Sequence, residues 1–123
     1  MVRDLKVGII GSRSFNNYRL LKEVIFENEE TKIPRNRIRY LISGGATGAD
    51  SLGQQFAKEF GLPILIFYPD WNSLGKSAGF IRNESIIKAC NLIYAFQVDD
   101  SKGTQNSIDL AKKYTKKLHV IKL

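Results

Sequence analysis

Short apolar runs alternate along this chain with longer stretches in which apolar residues recur every three or four positions. The runs are Val7–Ile10, Arg39–Ser43, Ile64–Tyr68, Asn91–Phe96 and His119–Ile121. They lack the strict apolar–polar alternation of half-exposed strands, as expected for parallel strands covered on both faces. Between them, Tyr18, Leu21, Val24 and Ile25 share one helical face, and the polar run to Thr31 ends that helix. Leu52, Phe56, Ala57 and Phe60 share a second face, which stops at Gly61 with Pro63 beyond. Ile81, Ile86, Ile87 and Cys90 suggest a third helix, and Ile108, Ala111, Tyr114 and Leu118 a fourth. Strand–helix alternation over the whole length predicts one domain, residues 1–123. Its class is α/β, a three-layer sandwich with a mostly parallel sheet of about five strands. Thr31–Arg37 and Pro69–Ala78 are the long connections.

Composition narrows the class. At 123 residues, about two-thirds of the unfolded surface can be buried, so a core forms without staples. A single cysteine, Cys90, excludes an internal disulfide and reads as a small buried hydrophobe. With a single histidine, His119, read as structural, a zinc site is not expected, and neither metal nor resident cofactor is implied. No stretch approaches the roughly 18 apolar residues of a membrane span. No secretory segment precedes the first strand. These features lead us to expect a soluble, reduced, cytoplasmic protein without a membrane partner.

The net charge is +7, which favours anionic partners. Five of those units fall in residues 101–123. On a continued helix Lys112, Lys113, Lys116 and Lys117 share a face, read either as solvated or as a phosphate or nucleic-acid patch.

Residues with chemical potential gather after the strands. Gly11-Ser12-Arg13-Ser14-Phe15 follows the first. Ser43-Gly44-Gly45-Ala46-Thr47-Gly48-Ala49-Asp50 closes the second. Asp70-Trp71, Gly75-Lys76-Ser77-Ala78-Gly79 and Arg82-Asn83 follow the third, and Asp99-Asp100-Ser101-Lys102-Gly103-Thr104 the fourth. In an open parallel sheet, ligands bind at the carboxyl ends of the strands. Glycines there let backbone approach a ligand, and each following helix offers free N–H groups to an anion.

Most of these residues carry a structural reading beside a functional one. Ser12 and Ser14 cap the first helix or bind phosphate. Arg13 suits bidentate phosphate recognition. Asp50 complements the helix dipole, accepts from a ribose hydroxyl, or works as a general acid–base. Trp71 packs in the core or stacks on a base. Lys76 and Arg82 are solvated or bring two cations to the same edge. Asn83 starts a helix or bonds a ligand, and Glu84 reads as an exposed helical carboxylate. Ser101, Gly103 and Thr104 cap a helix or cradle a second phosphate. Gly44-Gly45-Ala46-Thr47-Gly48 does not fit the dinucleotide fingerprint G-x-G-x-x-G. Gly75-Lys76-Ser77 ends like a P-loop, but Asp70 stands where its first glycine belongs.

Taken together and in order, these segments, extended through Phe80-Ile81-Arg82-Asn83, resemble the YspA/YpsA-related branch of the SLOG superfamily, which groups Smf/DprA proteins with the LOG nucleotide hydrolases. The likeness runs from Val7 to about Val120. It implies a Rossmann-like fold and a pocket for nucleotides or nucleotide-derived ligands such as ADP-ribose. On that resemblance the binding set is Gly11, Ser12, Arg13, Ser14, Gly44, Gly45, Ala46, Gly48, Asp50, Trp71, Lys76, Arg82, Asn83, Ser101, Gly103 and Thr104. The LOG hydrolases follow a Gly-Gly-x-Gly-Thr loop closely with a glutamate. Here Gly103-Thr104 is followed by Gln105-Asn106-Ser107.

Three functions are therefore carried forward. The first is a sensor or sequestering module for a nucleotide-derived small molecule. The second is a phosphoribohydrolase-like enzyme cutting an N-glycosidic bond, with Asp50 as first choice of catalytic carboxylate ahead of Glu84, Asp99 and Asp100. The third is DprA-like binding of single-stranded nucleic acid. Phe80 and Ile87 are apolar positions that suit a homo-oligomer interface or the core.

Overall fold

The computed structural model describes residues 2–123. Five strands and five helices follow in the order β1 (Leu5–Gly11), α1 (Tyr18–Phe26), β2 (Ile38–Gly44), α2 (Ala49–Phe60), β3 (Ile64–Phe67), α3 (Trp71–Leu74), α4 (Ala78–Ala89), β4 (Leu92–Gln97), α5 (Lys102–Lys113) and β5 (Lys117–Lys122). The sheet is wholly parallel in the order β3-β2-β1-β4-β5. The chain thus moves outward from β1 to β3, then returns to place β4 on the other side of β1. That is the doubly wound, Rossmann-like arrangement, and the reversal falls between β1 and β4.

Alternate residues of each strand feed two cores. Val7, Ile9, Leu41, Leu92, Tyr94 and Phe96 face α1 and α2. Ile10, Ile42, Ile93 and Ala95 face α4 and α5. Burial on both faces explains why the strands read as continuous apolar runs.

Helix ends show where local chemistry acts. Asn17 caps α1, its Oδ1 accepting from Leu20 N at 3.0 Å. The capping role considered for Ser12 and Ser14 is therefore overturned: both lie too early in the loop. α2 stops at Gly61, as its sequence predicts, with Leu62 N donating to the Ala57 carbonyl at 2.9 Å. The connection after β3 is partly ordered: Asp70 caps the single turn of α3, and a 3-10 turn at Gly75–Ser77 leads into α4.

The fourth predicted helix is shorter than its apolar spacing suggests. α5 ends at Lys113, and Thr115 turns the chain with φ +52°. Leu118 belongs to β5, where it pairs with Ile93. Its spacing from Tyr114 mimicked a helix because a short turn happened to return it to the same core. The lysines consequently do not share a helix face. Lys112 and Lys113 end α5, Lys116 Nζ donates to the Lys88 carbonyl at 3.2 Å, and Lys117 begins β5.

Ile87 is fully buried among the α4–α5 core residues, which withdraws it from any interface, whereas Phe80 is 60% exposed. Cys90 is buried, and desolvation pushes its thiol up to about 12. His119 stacks on Tyr94 at 5.4 Å between ring centroids. Among the described residues no helix is long and apolar enough to cross a membrane.

Candidate functional site

A cleft of about 450 Å³ opens at the carboxyl ends of β1 and β4, where the strand order reverses. The loops after β1, β2 and β4, the first turn of α2, α4 from Arg82 to Ile86 and the first half of α5 line it. Gly11, Ser12, Arg13, Ser14, Ala46, Asp50, Arg82, Asn83, Ser101, Gly103 and Thr104 all reach its wall. Residues separated by up to 93 positions in sequence are thereby gathered around one space.

Ser12 ties the first and last of these loops together. Its backbone N–H donates to the Phe96 carbonyl at 2.9 Å. Its hydroxyl accepts from Val98 N at 2.8 Å and lies 2.6 Å from Ser101 Oγ. Ser101 Oγ donates to Thr104 Oγ1 at 2.8 Å. Because the Ser101 hydroxyl is engaged sideways, it makes no capping bond to α5. The first N–H groups of α5 thus have no side-chain cap at the cleft, where Gly103 has open space above it. A helix start of this kind attracts an anion through unpaired donors and the axial dipole.

The loop after β2 is held against the loop after β1. Gly48 has φ +74°, and a Cβ there would fall 2.3 Å from the Ser12 carbonyl oxygen and 2.4 Å from that of Arg13. Only glycine meets both demands. Asp50 then enters the first turn of α2 with only 7% exposure. Its Oδ2 accepts from Ala46 N at 3.2 Å, and its Oδ1 lies 3.1 Å from the buried Ser43 hydroxyl. Burial raises the Asp50 pKa above the ordinary carboxylate value, opposed by the Ala46 amide, the Ser43 hydroxyl, the Arg82 charge and the Gly44 amide.

Arg82 comes from α4 and is half-buried. Its Nε donates to Asn83 Oδ1 at 3.0 Å, and Nη1 reaches toward the Phe67 carbonyl at 3.5 Å. A Cβ on Gly44 would stand 2.6 Å from Arg82 Nη1 and 2.7 Å from Asp50 Oδ2. The missing side chain lets the guanidinium and the carboxyl group converge over bare backbone. Burial lowers the Arg82 pKa, the Asp50 charge opposes this, and the neighbouring positive charge of Arg13 adds to it. Among the described residues neither Arg13 nor Arg82 joins an ion pair. Two guanidiniums therefore face one cleft without an acidic partner in contact.

Five predicted residues do not reach the wall. Gly44 and Gly48 shape it from behind, and Gly45 lies under the Tyr68 ring. Trp71 is 55% exposed, so it is not core, and it lies outside the cleft. α3 carries it away from the strand ends, beside Gly79. Lys76 sits exposed in the following 3-10 turn, also outside. The other carboxylates are elsewhere. Glu84 accepts from Tyr114 and pairs with Lys88, while Asp100 pairs with Lys122. Asp50 is the acid in the cleft wall.

Sequence reasoning missed Ile10, Ile86 and Ser107, which complete the lining, and Asn106, whose Oδ1 accepts from Asn83 Nδ2 at 3.3 Å. Helical spacing offered a signal for two of them: Ile86 follows Arg82 by four residues and Ser107 follows Thr104 by three. No group of acidic, histidine and cysteine side chains suited to a metal ion occurs among the described residues. Comparison with protein-family models, with curated proteins and with solved structures finds no match to this chain.

Proposed function

We propose that the cleft binds a nucleotide or nucleotide-derived anion and that the protein acts as a sensor or sequestering module for it. The carrying observation is the convergence of Arg13 and Arg82, without ion-pair partners, on the side-chain-uncapped start of α5. Such donors match the charge and fork geometry of phosphate oxygens. The cleft volume falls within the range of small-molecule sites. The resemblance of its loops to the SLOG branch supports the nucleotide half of the reading.

The test is a thermal-shift screen of the purified protein with ATP, NAD, ADP-ribose and cyclic nucleotides, followed by calorimetry on any hit. A stabilising ligand whose effect is lost in Arg13→Ala and Arg82→Ala supports the proposal. No shift with any of the four groups would sink it.

A second reading, cleavage of an N-glycosidic bond, is favoured by the placement of Asp50 in the same wall. Release of free base or ribose phosphate, abolished in Asp50→Asn, would carry it. The absence of a glutamate after Gly103-Thr104 keeps it second. Nucleic-acid binding has less support, since the lysines that suggested it are divided between a helix end, the short loop after it and a strand. A homo-oligomer, if formed, would use Phe80 and its exposed neighbours Trp71 and Ile81, not Ile87.

A further inference from the structure

A serine hydroxyl has one hydrogen to donate. Ser43, fully buried at the end of β2, has two oxygen neighbours: the Ile9 carbonyl at 2.7 Å and Asp50 Oδ1 at 3.1 Å. A carbonyl cannot donate, so the 2.7 Å contact requires the Ser43 hydrogen. The Ser43 oxygen then turns lone pairs toward Asp50 Oδ1. That contact is a hydrogen bond only if the carboxyl group supplies the proton. Asp50 Oδ2 has its own donor in Ala46 N–H, so it needs no proton.

From this geometry we propose that Asp50 is the proton-holding group of the cleft, its Oδ1–H donating to Ser43 Oγ, which passes its own hydrogen to the Ile9 carbonyl. The charged groups facing the site from the surrounding elements are Arg82 on α4 and, beyond it, Arg13 in the loop after β1; β2 contributes only the neutral Ser43. Arg82, from outside ion-pair contact, and the Ala46 and Gly44 amides oppose protonation. A Ser43 hydroxyl donating to the carboxylate would oppose it as well, and its engagement with the Ile9 carbonyl prevents that. Burial works in the same direction as the relay. The consequence rests on the cleft being an anion site. With Asp50 neutral, an incoming phosphate meets two guanidiniums and no carboxylate, so repulsion is removed and Arg82 is free to bind it. Ser43 is a positioning residue in this scheme, because it acts through Asp50.

The test is a titration of the ligand-free protein labelled with 13C at aspartate carboxyls, the Asp50 resonance being identified by its loss in Asp50→Asn. The Asp50 midpoint is expected above the ordinary aspartate value. The sign of the change in Ser43→Ala decides the role of the hydroxyl. If Ser43 accepts from the acid, its removal lowers the midpoint. If it donates to a carboxylate, removal raises it. An ordinary midpoint, or a rise in Ser43→Ala, overturns the proposal.

Asp50→Asn provides an independent readout, since its amide can donate to Ser43 and accept from Ala46 as the neutral acid does. A folded-state pKa raised above the unfolded one gives stability that is present at low pH and lost as pH rises through the folded value. Asp50→Asn should therefore be more stable than the native protein at neutral pH, the gap closing in acid. A gap that widens in acid would contradict a neutral Asp50. Both measurements use empty protein, so they stand or fall apart from the nucleotide screen. Failure of that screen alone would remove the consequence for phosphate and leave the proton assignment intact.

Discussion

The two faces of this sheet are built differently. Against α1 and α2 lie large aromatic rings. Phe15 stacks on Phe96 at 4.7 Å, and Phe26, Phe56 and Phe60 form a mutual cluster with centroids about 5 Å apart. Against α4 and α5 lie Ile10, Ile42, Cys90, Ile93, Ala95, Ile108 and Ala111, with no buried aromatic side chain among them. The aromatic side chains packed on the second face, Tyr40, Phe67 and Tyr114, are only partly buried, and two of its core residues, Ile10 and Ile86, also line the cleft. One sheet thus has two unlike faces: one supplies most of the large-side-chain packing, and the other borders the cleft.

That contrast can be broken most forcefully at Phe56, which is fully buried between Phe26 and Phe60 and remote from the cleft lining. Phe56→Ala should cost about 3 to 5 kcal/mol and lower Tm by about 10 °C or more in calorimetry. Binding by the surviving folded protein should be unchanged. A matching loss of affinity at low temperature would show that the two faces are not separate.

The converse variants are Arg13→Ala and Arg82→Ala. Each should weaken phosphate-bearing ligands by about 10-fold or more in calorimetry, since a charge-assisted hydrogen bond contributes about 1.5 to 3 kcal/mol. Arg13→Ala should leave the melting temperature nearly unchanged, and Arg82→Ala should lower it only slightly: Arg82 gives up its contacts with Asn83 and the Phe67 carbonyl, but neither substitution breaks an ion pair among the described residues. A large fall in Tm would make these arginines structural.

Ser12→Ala acts on the loops that border the cleft. It removes the acceptor for Val98 N and the link to Ser101. An expected cost of about 1 to 2 kcal/mol in chemical denaturation should accompany faster amide exchange confined to the loops after β1 and β4. Exchange spreading evenly through the sheet would contradict a local strut.

Cys90 reports on the closed packing of the α4–α5 core. Its buried thiol, with pKa pushed up to about 12, should resist alkylation in native protein and react at once in denaturant. Rapid native labelling would mean that the α4 side opens readily. The smallest effect is expected from His119. Burial, and behind it the charge of Lys117, lowers its pKa below 6.5. Stability from this group is present above that value and lost as pH falls through it. His119→Leu should flatten the pH dependence of Tm in that interval.

How much was legible in the sequence differs by element. The four-residue stop at Phe60, Gly61, Leu62 and Pro63 announced the end of α2, because a left-handed glycine cap is a local device. The end of α5 was not legible. Tyr114 and Leu118 continue the helical spacing, and only the pairing of Lys117 with Leu92 pulls that segment into the sheet. Trp71 shows the same limit. An aromatic beside a Gly-rich edge suggested stacking, yet the turn of α3 carries it to the surface.

The sequence by itself determined the alternation of strands with the four longer helices, the doubly covered sheet and the edge along which the Gly-rich loops gather. Each of these rests on short-range periodicity or on residues with strong backbone preferences. Only the tertiary structure decided which loops meet. Ser12 finds Ser101 across 89 positions, and Arg82 and Asp50 converge over the bare backbone of Gly44. Likewise the contacts of Ser43 with Ile9 and Asp50 depend on β1 lying beside β2 and on the first turn of α2 folding back over their ends. Those encounters follow from strand order and loop packing, which no local pattern encodes.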